Sequence, residues 1–199
     1  GCNSETHALE MTAGDQNTRA TRILAGPRKC FTYIIDTPTH ASEIAFTAGP
    51  YIPLADPETP ITVTHFCLEG RAKELVHTAI PVFAQARLFC YEYFNMVLPV
   101  SSFKQVFTGI SDACVGPHCA AGGLLMYSGS LLHDARCIDE GFEARKAITS
   151  AIVSCYIGGL IRPRAPEDAW FVSGLATHVS ALALASIFGK NWYRIHIMN

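Results

Sequence analysis

Cys114, His118, Cys119, His133 and Cys137 fall within one short stretch of the chain. Thiolates and imidazoles gathered this way are the donor set of a structural zinc site. Their spacings, C-x-x-x-H-C and H-x-x-x-C, match no standard knuckle, so reduced thiols and hydrogen-bonded histidines are the preferred reading and metal ligands the rival. Ser150 and Ser154 stand four residues apart, which would put two hydroxyls on one helix face. A serine nucleophile also needs a base in reach and an oriented third group, and no G-x-S-x-G context supplies them. Both serines therefore read as small helix residues that fill space. His178 reads as an inward-facing core histidine near Ser173 rather than a ligand. Arg145-Lys146 and Arg162-Pro-Arg164 could meet DNA phosphates, though two small basic clusters also suit a plain solvated surface.

The elements that must position these groups divide the chain in two. Residues 31–35 (FTYII), 43–48 (EIAFTA) and 61–68 (ITVTHFCL) read as strands from their β-branched and alternating character. A proline-rich loop is expected between the second and third, with Pro50, Pro53, Pro57 and Pro60. Glu69-Gly70 ends the third strand, and a domain boundary is placed there, between 1–69 and 70–199. Beyond it the pattern turns helical. Thr78 is expected to cap a helix with Pro81 in its first turn and an apolar face of Ile80, Phe83, Ala84, Leu88, Tyr91 and Phe94. The aromatic cluster around Tyr91 and Tyr93 reads as core, with a partner-binding groove as the rival. Residues 103–107 and 120–127 each read as one strand. Asp139 can cap the next helix, with Ile148, Ala151, Ile152, Cys155, Tyr156 and Gly159 on its inner face. After Pro163 and Pro166 comes a last helix with Glu167 and Asp168 in its first turn. Its inner side is expected to carry Phe171, Gly174, Leu175, His178, Val179 and Leu182.

Composition narrows the class. The 199 residues are 49% hydrophobic and 16% charged, with a formal charge of −2. That is an apolar globular chain without a global electrostatic handle for DNA or an anionic membrane. The eight cysteines show no C-x-x-C and no tight framework, and several lie in apolar runs. They read mostly as reduced, buried small hydrophobes, which points to the cytosol or nucleus. The start of the chain is polar, and the apolar run at 147–161 is too short and too hydroxylated to span a membrane. Abrupt ends suggest a piece of a longer protein.

The segment 147–176 resembles the helix pair of the gluzincin zinc aminopeptidases. Tyr156, Gly158, the acidic pair Glu167-Asp168, Trp170 and the run 173–176 (SGLA) follow that frame. In those enzymes a helical H-E-x-x-H presents two zinc-binding imidazoles and a glutamate that activates water. A third ligand, Glu, follows on the next helix. The resemblance sets Ser150, Ala151 and Ser154 in the His, Glu and His places. Ser173 stands in the place of the last Glu, and Ala120 roughly in that of the glutamate that holds the substrate amine. Further stretches, 37–51 (TPTHASEIAFTAGPY), 63–70 (VTHFCLEG), 103–107 (FKQVF), 130–133 (SLLH) and 138–139 (ID), resemble the family of second TBP-associated factors. These are the aminopeptidase-like subunits of the general transcription factor TFIID.

That resemblance implies an α+β fold. Residues 1–69 would end a β-rich aminopeptidase-like N-terminal domain, and 70–199 would begin a mostly helical, degenerate thermolysin-like domain. It implies a nuclear, non-enzymatic scaffold with no cofactor, no bound metal and no membrane contact. Expected partners are other TFIID subunits, notably the eighth and first TBP-associated factors, and promoter DNA within the assembled complex. The rival readings are a zinc aminopeptidase with atypical ligands and a peptide-binding module that uses the old cleft.

Overall fold

The alternating run at 62–68 forms the strand around which the chain is arranged. The computed structural model describes residues 9–12, 19–21, 30–32, 44–56, 62–98, 100, 102–109, 119–121, 123–134, 136, 137, 140–191, 193 and 194. Two antiparallel strand pairs come from the early part of the chain. One joins β1 (Leu9–Thr12) to β4 (Phe46–Gly49), the other β2 (Arg19–Thr21) to β3 (Cys30–Thr32). The main sheet follows. It is built from β5 (Tyr51–Asp56), β6 (Thr62–Leu68), β7 (Ser102–Thr108), β8 (Cys119–Ala121) and β9 (Leu124–Ser128), in the order β5-β6-β7-β9-β8. The three central strands are parallel and both edges are antiparallel.

Parallel neighbours need a crossover, and two helices supply the one from β6 to β7. These are α1 (Ala72–Thr78) and α2 (Ile80–Phe94). Two longer helices, α3 (Glu140–Tyr156) and α4 (Ala169–Phe188), complete a helical layer in which α2, α3 and α4 touch one another. The period of two then sorts the sheet's side chains. Val63, Cys67, Phe103, Phe107, Leu125 and Tyr127 join the helices in the larger core. Tyr51, Phe66, Val106 and Leu124 form a smaller cluster of their own. The fold is thus a mixed α+β arrangement, and the sheet carries strands from both sides of the turn at Glu69-Gly70.

Several local expectations give way to tertiary context. The proline-rich stretch is not all loop: Pro53 lies within β5, opposite Phe66. It is tolerated because β5 is an edge strand, where a missing N–H breaks no ladder. Residues 120–127 form a hairpin rather than one strand. Gly123 turns it at φ +98°, with Ser102 O so close that a Cβ would sit 2.5 Å away. Thr78 caps no helix. It ends α1, and its hydroxyl donates to His133 O at 3.0 Å, while Ala79 precedes α2 with Pro81 in the first turn. Leu88 and Tyr91 are exposed, and α2 buries Val82, Phe83, Ala86 and Cys90 instead. Asp139 lies outside the described residues.

The end of α3 follows its glycines. Gly158 adopts φ +118°, and the Gly159 N–H donates to Ser154 O at 3.0 Å, closing the helix before a short bridge between Ile157 and Ile161. On the other side of the fold, Arg71 donates from Nη2 to Gly129 O at 3.1 Å and to Leu132 O at 2.5 Å. This guanidinium ties the start of α1 to the turn after β9. Cys67 and Cys90 are buried thiols, and burial pushes the Cys90 pKa up to about 12, as expected of an inert core cysteine. Cys137, by contrast, is exposed.

Candidate functional site

The groove between α3 and α4 brings Ser150, Ser154 and Ser173 together. The cation–π contact of Arg145, near the start of α3, over Phe188 at the end of α4 (4.7 Å) shows that the helices run antiparallel. Ser154, near the end of α3, therefore meets the start of α4, where Ser173 sits. The groove encloses about 430 Å³, and its hydroxyl end continues to Glu143 and Lys146.

Three of the five lining hydroxyls are already committed to their own helices. Ser154 Oγ donates to Ser150 O at 2.8 Å, Thr177 Oγ1 to Ser173 O at 2.9 Å, and Ser180 Oγ to Ala176 O at 2.7 Å. In these three the proton is held by the carbonyl one turn earlier. Zinc takes imidazole, thiolate or carboxylate donors, and Glu143 is the single lining residue of that kind. The donor set does not fit zinc. No histidine lines the groove beside the serines.

Ala151 is not in the groove. It is fully buried beside Ile148 and Ile152 in the core. One residue along a helix turns the side chain by about 100°, so Ser150 and Ser154 share a face that Ala151 leaves. Ala120 lies in β8 opposite Leu125, and that edge strand runs beside α3.

The cysteine–histidine set is only partly in view. Cys114 and His118 lie outside the described residues, and Cys119 is placed as part of the β8 backbone. The buried His133 has its Nδ1 3.9 Å from Glu140 Oε2, and neither ring nitrogen has a hydrogen-bond partner. Among the described residues no three metal-capable side chains cluster.

His178 is exposed, contrary to the inward orientation read from the sequence, and so are Phe171, Gly174 and Leu175. The buried side of α4 is Val179, Ser180, Ala181, Ala183 and Leu184. The helix is apolar nearly all round, so periodicity picks no face. Among the described residues, the helix at 166–188, rather than 147–161, is long and apolar enough to cross a membrane by length and composition, and 28% of its most apolar 18-residue window is buried. Trp170, 74% exposed, and Phe171 head its open face. Of the basic residues, Arg145 stacks on Phe188, Lys146 lines the groove and Arg162 Nε donates to Gly159 O at 2.6 Å.

Two features escaped the sequence reading. The first is a buried polar pair: the His65 Nδ1–H donates to Gln105 Oε1 at 2.6 Å across β6 and β7. The amide oxygen can only accept, so the proton sits on Nδ1. The signal was present, since both residues occupy core-facing positions of their strands. The second is the position of Arg87 in the apolar groove at the end of α2; the groove itself was the rival reading of the Tyr91 cluster.

No family model matches the chain. Its curated relatives share one description. It is 32% identical over 171 residues to Transcription initiation factor TFIID subunit 2 of Gallus gallus, covering 84% of this chain and 14% of that protein. The same subunit of Schizosaccharomyces pombe is 28% identical over 206 aligned residues, 97% of this chain and 17% of the relative. That of Drosophila melanogaster is 29% identical over 172 residues, 86% of this chain and 14% of the relative. The chain thus spans about a sixth of the length of the relatives it matches. With one description shared by relatives as distant as yeast, fly and bird, the chain belongs to the TFIID subunit 2 family, as the counterpart of one segment of those longer proteins.

Proposed function

We propose that this chain is part of a nuclear, non-enzymatic scaffold subunit of TFIID, acting in transcription initiation by RNA polymerase II. Its work is to present surfaces to other subunits, the eighth and first TBP-associated factors among them, and to support core-promoter binding by the assembly. One observation carries the reading: the α3–α4 groove, where the aminopeptidase frame sets its metal centre, is lined by the neutral hydroxyls of Ser150, Ser154 and Ser173, with that of Ser154 bonded back to its own helix. Such groups neither grip a divalent cation nor move a proton. The relatives' shared name supports the assignment to the transcription machinery. The open apolar side of α4 supports a surface made to be covered by protein.

The test uses the full-length subunit. Aminopeptidase turnover is measured on unblocked peptide substrates, with chelator and with added zinc. No turnover in any condition is expected, together with copurification of the tagged subunit with other TFIID subunits. Turnover that chelator removes and zinc restores would overturn the reading.

A further inference from the structure

We propose that the groove at the C-terminal end of α2 is a docking site for a segment of another subunit, one that carries a large apolar side chain next to a carboxylate. The inference rests on the scaffold reading above and adds a place and a partner chemistry to it.

Leu98, Phe103 and Tyr156 form the floor of the groove, and all three are buried. Leu88, Tyr91 and Val97 form its rim, each at least half exposed at 57%, 50% and 56%. A buried floor under an exposed apolar rim is the shape of an anchor pocket, which takes one large side chain and shields it from water. The sequence reading assigned Tyr91 and Tyr93 to the core. Both are instead half exposed, so this aromatic surface is left open beside the pocket.

The pocket is formed before anything binds. Asn95 ends α2 with φ 47°, the Tyr156 hydroxyl donates to Met96 O at 3.3 Å, and the Phe94 and Tyr156 rings stack at 4.6 Å. These contacts hold the rim segment 96–98, so a partner would meet little ordering cost.

Arg87 sets the charge of the partner. It lines the groove, and its Nε is shut off from solvent with no hydrogen-bond partner. The buried Nε is out of a partner's reach, but the guanidinium lines an otherwise apolar groove with positive charge, and a carboxylate is the group that pairs with it best. An aspartate or glutamate beside the inserted apolar residue would accept from Arg87 while the side chain fills the pocket.

The test is site-specific photocrosslinking in the purified, assembled complex. A photoreactive phenylalanine analogue replaces Leu88 or Val97 in the full-length subunit; both sites are exposed, so the fold tolerates the change. The expected adduct lies on another subunit, at an apolar residue within a few positions of Asp or Glu. Arg87→Glu should lower its yield about ten- to hundredfold, and Arg87→Lys should retain part of it. Adducts confined to the subunit's own chain, adducts far from any acidic residue, or a yield unchanged by Arg87→Glu would each overturn the proposal. So would the absence of adducts while the subunit still copurifies with the complex. Loss of copurification in the unmutated subunit would instead bring down the scaffold reading, and this inference with it.

Discussion

The Ser154 hydroxyl donates to the Ser150 carbonyl oxygen at 2.8 Å, so its proton is turned back along α3 rather than into the groove. Ser173 lines the same groove from α4. Three serine positions from two helices thus line one groove without an imidazole or thiolate among the lining residues.

Placing zinc donors at these three positions tests the proposed correspondence to a peptidase metal centre. The triple variant Ser150→His, Ser154→His, Ser173→Glu places two imidazoles four residues apart on α3 and a carboxylate on α4. It is expected to retain stoichiometric zinc through dialysis, by elemental analysis. A folded triple variant that holds no zinc would show that the groove does not correspond to a peptidase metal centre.

His65 makes stability depend on pH. Burial pushes its imidazole below the ordinary value of 6.5, with the Gln105 hydrogen bond and the Asp56 charge opposing part of that shift. The native state then resists a proton that the unfolded chain accepts. This contribution is fully present above about pH 6.5 and is lost as pH falls toward the lower folded-state value. Urea midpoints should drop between about pH 7.5 and 5.5, and the drop should shrink in His65→Gln. Equal drops in both proteins would remove His65 from the account.

Gly123 is required where it stands. Its φ of +98° disfavours any Cβ, and that Cβ would lie 2.5 Å from Ser102 O. Gly123→Ala should destabilise the fold by about 2–4 kcal/mol, read from denaturant unfolding. Gly141→Ala is the control, because nothing lies within 4 Å of a Cβ there. That substitution falls inside α3 and should be neutral or slightly stabilising.

How far the sequence was legible depends on how strongly each segment announces its own partner. Residues 62–68 alternate clearly, and they form β6 with Val63, His65 and Cys67 all buried. The inner face of α3 was also visible, because its charged residues stay off that stripe: Ile148, Ala151, Ile152 and Tyr156 are buried as the spacing predicts. In α2 and α4 apolar residues run round the circumference, and periodicity chose the wrong stripe at Leu88, Tyr91, Phe171 and His178. Pro53 misled in the other direction, since a local breaker is harmless on a sheet edge.

What the sequence determined by itself was chemical identity. Ser150, Ser154 and Ser173 are neutral hydroxyls in any fold, and no packing can turn them into imidazoles or carboxylates. Tertiary structure alone decided which groups meet. It drew serines from two helices into one groove, turned Ala151 away from them, and left Arg87 Nε without a partner beneath an open apolar rim. A residue's donor chemistry is local and covalent, whereas its neighbours depend on contacts between segments far apart in the chain.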